Sequence, residues 1–184
     1  MPRAIHPASP IGEVVQQRHA RQDFGVRNPL TAELAGFMQS GISIILASVD
    51  DDGTPLPGKA QGCRVDPSGM VRVTIIAQPY ARLLNALSRG RPLAATFSRP
   101  EDHRSIQLKS ASAKLVDPGP ADREAALVQG VGLSDQLVLV GYDRAFSDAY
   151  ASCAQGDLAV IGFVPEQAFV QTPGPGAGTA LKQP

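Results

Sequence analysis

Between residues 31 and 171 the spacing of apolar positions changes period repeatedly, and each change marks an element. Leu34, Phe37 and Met38 recur at helical spacing behind Thr31, a residue type that accepts from a free backbone N–H at a helix start, and Gly41 follows as the stop. The β-branched run Ile42-Ser-Ile-Ile-Leu-Ala-Ser-Val49 predicts a buried strand, with Asp50-Asp-Asp-Gly53 as its turn. A second strand over 58–65 returns antiparallel, placing Lys59, Gln61 and Cys63 on one face and Ala60, Gly62 and Arg64 on the other. Small residues on that second face imply either a flat or bulky neighbour or a barrel bend that needs glycine. Asp66-Pro-Ser-Gly69 is a hairpin turn and 70–76 a third strand, which completes a meander.

A short helix is predicted over 80–88, with Leu83, Leu84 and Leu87 inward, Arg82, Asn85 and Arg89 outward, and Gly90 and Pro92 ending it. Residues 93–97 form a fourth strand, and His103 stands at the exit of the polar connection that follows. Residues 104–116 alternate as one long fifth strand, with Ile106, Leu108 and Ser110 opposite Ser105, Gln107 and Lys109. After Asp117-Pro-Gly-Pro120 come a helix over 121–129, a second over 144–154 that carries Cys153, and a sixth strand over 158–164. Residues 1–30 read as an arm holding a short helix, and 172–184 as a Gly/Pro-rich tail, flexible or wrapped on a partner. Every strand pairing is antiparallel, and a sheet of this size removes its edges by closing. The prediction is a mainly β domain with peripheral helices, a six-stranded antiparallel split β-barrel spanning 31–171.

Composition narrows the function more than the fold. The 16 prolines and 18 glycines cut the chain into short elements and argue against long helices. Lys plus Arg and Asp plus Glu balance at 17 each, so no global field draws the chain to nucleic acid or an anionic membrane. No apolar run approaches the roughly 20 residues of a membrane span, and no signal peptide is visible. Two cysteines, without metal-knuckle or disulfide spacing, fit a reducing compartment, so a cytoplasmic protein is expected. The three aspartates at 50–52 are turn chemistry and lack the spacing of a calcium loop, so no metal site is expected.

A helix starting near Pro79 offers free backbone N–H groups, which with Arg82 would suit an anion such as a phosphate. Around it, residues 42–113 resemble a known family. The similarity lies in Ile44-Ile-Leu-Ala-Ser-Val-Asp-Asp-Asp-Gly53, Asp66-Pro-Ser-Gly-Met-Val-Arg-Val-Thr74, Arg89-Gly-Arg-Pro-Leu-Ala-Ala-Thr96 and Arg104-Ser-Ile-Gln-Leu-Lys-Ser-Ala-Ser-Ala113. These stretches resemble the FMN-binding split barrel of the pyridoxamine 5′-phosphate oxidase-like proteins. The resemblance implies a homodimer with FMN in the groove between two chains. It assigns Lys59 and Gln61 to the flavin, Thr74 and Ile75 to backbone and hydroxyl contacts, Arg82 to the phosphate, and Ser105 with Gln107 to the ring edge. The family's second basic residue beside Arg82 is replaced by Leu83, which leaves Arg64, Arg72 or Arg104 as substitutes, and position 75 is apolar. The function implied is a flavin-dependent oxidoreductase acting on a small molecule. The alternatives are a haem-binding split barrel with His103 as axial ligand, and a cofactor-free dimeric binding module. No catalytic acid, base, nucleophile or substrate is singled out, and vitamin B6 oxidation has no support in these residues.

Overall fold

The computed structural model describes residues 9–19, 28–153 and 157–181. In chain order these form α1 (Pro10–His19), α2 (Ala32–Met38), β1 (Ser43–Val49), β2 (Pro55–Val65) and β3 (Val71–Ile76). A 3-10 turn (Gln78–Tyr80) leads into α3 (Ala81–Ser88), followed by β4 (Leu93–Ser98), β5 (Ser105–Ser110) and β6 (Lys114–Val116). Then come α4 (Pro120–Leu139), α5 (Arg144–Ala151), β7 (Leu158–Phe163) and β8 (Gln167–Val170).

The eight strands make one sheet in the order β6-β7-β3-β2-β1-β4-β5-β8, and every ladder is antiparallel. Strands β5 and β6 are consecutive in the chain yet belong to opposite halves of that order, as do β7 and β8. Residues 111–113 and 164–166 are the whole of the two links, and links of that length reach only about 10–14 Å. The two edges must therefore approach each other, and the sheet curls around its core. The hydroxyl of Ser110 donates to the Val164 carbonyl (3.0 Å), and the Glu166 N–H donates to the Lys109 carbonyl (2.9 Å), across the meeting point. No ladder among the described residues joins β6 to β8, and there the barrel is split.

Ile44, Leu46, Val73, Ile75, Phe97, Ile106 and Leu108 fill the interior. Thr31 caps α2 by accepting from the Leu34 N–H (3.1 Å), and Leu34, Phe37 and Met38 plug the end where β1 starts. Leu83, Leu84 and Leu87 of α3 join the same core. Helix α1 is tied to the barrel by a buried ion pair, with Arg104 Nε donating to Glu13 Oε2 (2.6 Å) and Arg104 Nη1 to Glu33 Oε1 (2.8 Å). Gln17 links both glutamates and accepts from the Thr31 hydroxyl.

The sheet has eight strands where six were expected, and long-range contacts account for the difference. The continuous alternation over 104–116 breaks at Ser110, because 111–113 must carry the chain to β7, where Lys114–Val116 finds its partner. Gln167–Val170, beyond Pro165, pairs with β5. Long helices were argued against, yet α4 runs for 20 residues. Its Gly130 and Gly132 stand in the helix interior as contact points: a Cβ at Gly132 would lie 2.7 Å from the Gly41 Cα, and one at Gly130 would lie 2.9 Å from the Ala151 carbonyl oxygen. Helix α5 ends at Ala151, so Cys153 lies beyond it, buried and unpaired. The even alternation expected along β2 is broken by a bulge: Ala60 pairs with Ile75 and Gly62 with Thr74, leaving Gln61 without a partner. Ala60 and Cys63 therefore both face the core, and Cys63 does not share a face with Lys59. Residues 172–181 do not hang free, since the Gly178 N–H donates to the Val170 carbonyl (2.7 Å) and Leu181 is buried.

Two contacts are directly testable. A Cβ at Gly62 would meet the backbone of Ala126 at 2.6 Å, so Gly62→Ala is expected to cost roughly 1–3 kcal/mol. Gly36→Ala in α2, with open space around it, is expected to gain up to about 1 kcal/mol. Urea unfolding midpoints of the two variants check both signs. By the same measurement, Arg104→Ala, which strands Glu13 in the interior, is expected to cost about 3–5 kcal/mol.

Candidate functional site

Strand register assembles the outer face. Lys59 lies beside Ile45, Ile45 beside Thr96, Thr96 beside Gln107, and Gln107 beside Phe169, so five residues form one row across five strands. The row faces outward because the alternate positions, Ile44, Leu46, Ala95, Phe97, Ile106 and Leu108, fill the core. Ala47, Ala94 and Lys109 form the next row, and Ser43, Ser98 and Ser105 the one on the other side. Ile45 is 44% exposed and Ala47 is exposed, so a flat floor of small and β-branched side chains stands open over β1 and β4.

Polar groups border this floor. Gln107 Nε2 donates to the Thr96 hydroxyl (3.1 Å). The Lys59 ammonium donates to the Tyr150 carbonyl and lies 3.8 Å from the centroid of its ring, and burial holds its pKa below the usual lysine value. Lys109 Nζ lies 4.8 Å from the Phe169 ring centroid. Ser105 Oγ lies 2.8 Å from Ser98 Oγ and 3.0 Å from the His103 carbonyl. His103 itself is exposed, with a left-handed φ of 60°.

At the far end of β1, Arg82 donates to Asp50 (2.9 Å), Arg89 donates to the other oxygen of Asp50 (3.1 Å), and Arg91 pairs with Asp51. Three guanidinium groups thus meet two carboxylates, with Asp52 next in the same turn. The hydrogen bond from Arg82 holds the Asp50 carboxyl below the usual range. Arg89 and Arg91 went unassigned in the sequence, although Arg82 and Arg89 stand seven residues apart, two helical turns, on one side of α3. The cluster sits at the turn that follows β1, beyond Val49.

The structure therefore sets Lys59 and Gln107 in one row, three strand spacings or about 14 Å apart, and Ser105 in the adjacent row, while Arg82 lies on α3 beyond the end of β1. The other candidates lie elsewhere. Thr74 is buried beneath α4, with its hydroxyl 3.4 Å from the Asp122 carbonyl, and lines a separate cavity of about 400 Å³ with Pro118, Leu158 and Val160. Ile75 points into the core, on a strand paired on both sides by β2 and β7. Gln61 is the buried bulge residue. None of the proposed substitutes stands beside Arg82: Arg72 donates to both oxygens of Asp122 (2.8 and 2.6 Å), Arg64 reaches Asp66 and Asp122, and Arg104 holds Glu13 and Glu33. Burial pushes the Cys63 thiol well up, which removes it as a nucleophile.

No family model matches the chain, and no curated protein matches it. Solved structures resemble it at low identity. HupZ from Group A Streptococcus is 16% identical, with 82% of this chain and 98% of that chain covered and a TM-score of 0.49. A candidate pyridoxamine 5′-phosphate oxidase from Lactobacillus delbrueckii is 16% identical over 79% of this chain and 96% of its own, with a TM-score of 0.47. HutZ, the haem storage protein from Vibrio cholerae, is 18% identical over 75% and 92%, with a TM-score of 0.44. The likeness is one of architecture: this chain's own antiparallel sheet, drawn round by its two short links and open between β6 and β8, is a split barrel. Among the described residues no helix is long and apolar enough to cross a membrane.

The pair between Arg72 on β3 and Asp122 in the first turn of α4 sets a pH dependence. The hydrogen bonds from Arg72 hold the Asp122 carboxyl, 2% exposed, at about 2 against its usual 3.8. A carboxyl whose pKa falls on folding stabilises the fold above its unfolded value, and that stability is lost as pH falls through the folded value. About 2 kcal/mol is therefore expected to disappear between pH 4 and pH 2. Asp122→Asn is expected to be less stable than the wild type at pH 7 by a similar amount, and the gap to close near pH 2, as followed by urea unfolding across that range.

Proposed function

We propose that the open face of β1, β4 and β5 binds a flavin of the FMN type between two copies of the chain, and that the protein is a flavin-dependent oxidoreductase acting on a small molecule. The observation that carries this reading is the row from Lys59 to Phe169, a flat floor bordered by an amide and an ammonium, with a guanidinium cluster beyond the end of β1. A floor of this kind suits a planar ring system, and a guanidinium cluster suits a phosphate. Bound there, FMN would supply hydride or electron transfer. Lys59 would face the pyrimidine edge, where a positive charge favours the reduced, anionic ring, and Gln107, three strands away in the row, would border the ring on its other side. Arg82 and Arg89 would exchange Asp50 for phosphate oxygens. Both cysteines are unpaired and buried, which fits a reducing compartment and supports a cytoplasmic protein.

His103, exposed in the turn two residues before Ser105, is the observation that favours haem as the second reading. An absorbance spectrum of the purified protein, followed by titration with FMN and with haem, separates the two. Flavin binding is expected to quench FMN fluorescence saturably. Arg82→Ala and Lys59→Ala are each expected to weaken it about tenfold, equivalent to about 1.4 kcal/mol. Thr74→Val, buried under α4, is expected to leave affinity within about twofold. A protein that ignores FMN but gives a Soret band abolished by His103→Ala would be a haem binder. One that binds neither would be a cofactor-free module.

A further inference from the structure

The cavity of about 400 Å³ lies on the other half of the sheet, between β3, β7 and the start of α4, and its size falls within the roughly 300–1,000 Å³ of small-molecule pockets. Strand register builds its floor. Thr74 on β3 lies beside Val160 on β7, and Leu158 follows two residues away on the same face of β7. Pro118, Gly119 and Pro120 close it from the loop that enters α4. Thr74, Asp122 and Val160 are 2, 2 and 1% exposed and form the deep end. Pro118, Pro120 and Arg123 are exposed and form the mouth.

Two polar groups of this lining are poorly served by the fold. The Thr74 hydroxyl is buried, and its contact with the Asp122 carbonyl is 3.4 Å, beyond the roughly 2.5–3.0 Å of a good O–H···O bond. A buried hydroxyl held so weakly is costly, and a polar atom brought into the cavity would satisfy it. Arg123 makes no ion pair among the described residues, whereas every other arginine whose side chain is described pairs with a carboxylate. Its planar fork matches a carboxylate.

The charges already present restrict what fits. Both oxygens of Asp122 accept from Arg72, and Oδ2 also accepts from the Gly119 N–H (2.8 Å), so the start of α4 is capped by its own side chain. Pro120 has no N–H to give. An anion placed at the deep end would face the Asp122 carboxylate, so the anionic group belongs at the mouth. One guanidinium with a fixed carboxylate nearby suits a monoanion better than a phosphate dianion. Between mouth and deep end the walls are proline, leucine and valine, which take an apolar body.

We propose that this cavity binds a small monocarboxylate, its carboxylate on Arg123, an apolar body about one ring in size against Pro118, Leu158 and Val160, and a hydroxyl or oxo group at its far end on the Thr74 hydroxyl. The site uses none of the open face of β1, β4 and β5 and stands whether or not a flavin binds there.

Titration of the isotopically labelled full chain with para-hydroxybenzoate, followed through amide chemical shifts, tests this. The carboxylate is expected to shift residues 119–123 and 158–160 saturably. Para-hydroxybenzyl alcohol, which lacks the charge, is expected to bind at least fivefold more weakly, and inorganic phosphate to leave these amides in place. Arg123→Ala, at an exposed position, is expected to weaken para-hydroxybenzoate at least fivefold and Arg123→Lys to recover part of the loss, with thermal midpoint and FMN titration unchanged in both. Thr74→Val is expected to weaken para-hydroxybenzoate more than benzoate. The absence of saturable shifts would overturn the proposal, as would equal affinity for the alcohol, equal binding by the wild type and Arg123→Ala, or shifts confined to β1, β4 and β5.

Discussion

The backbones of α4 and β2 touch at Gly62, and much of the outer architecture follows from that contact. A side chain at this position would meet the Cα of Ala126, so only glycine lets the helix settle onto the sheet. Once seated, α4 is held at its start by Arg72 on Asp122 and further along by Gln129, whose amide donates to the carbonyls of Ile42 (2.9 Å) and Met38 (3.4 Å). One half of the sheet's outer face is thereby covered. The other half, over β1, β4 and β5, keeps its small residues open, and α5, carried by α4, brings Tyr150 to the boundary at Lys59.

The ion pairs divide by burial, and the division says which charges are available. Arg104 with Glu13 and Glu33, and Arg72 with Asp122, are enclosed and multiply hydrogen-bonded; removing one partner leaves a charge in the interior, so these groups hold the fold. The cluster of Arg82, Arg89 and Arg91 is different. Its side chains are 69, 40 and 35% exposed, and exposed pairs of this kind are worth only about 0–1 kcal/mol each. A phosphate dianion can therefore compete with Asp50 and Asp51 for the guanidinium groups at small cost.

Local rules carried a large part of the architecture. Thr31 caps α2, Gly53 and Gly69 turn with positive φ, Gly90 ends α3 with φ of 81°, and Ser105–Ser110 alternates as its sequence requires. Of the candidate site, Lys59 and Gln107 were legible as outward strand positions, because side-chain direction in a strand is a matter of parity alone. What was not legible depends on residues far apart in the chain. The bulge at Gln61 reverses parity partway along β2, and its cause lies in the pairing with β3. Arg89 and Arg91 join Arg82 only because the β1–β2 turn folds back under α3 with two aspartates.

By itself the sequence determined an antiparallel meander with short turns and a flanking helix rich in leucine, since capping, turn chemistry and period-two burial act over a few residues. The tertiary structure decided that 104–116 is two strands, that a late segment pairs with β5, and that Gly130 and Gly132 are packing points inside a long helix. It also decided that Thr74 lies under that helix, away from Lys59. In each case the deciding energy is a contact between backbones separated by tens of residues, and no window of local sequence contains both partners.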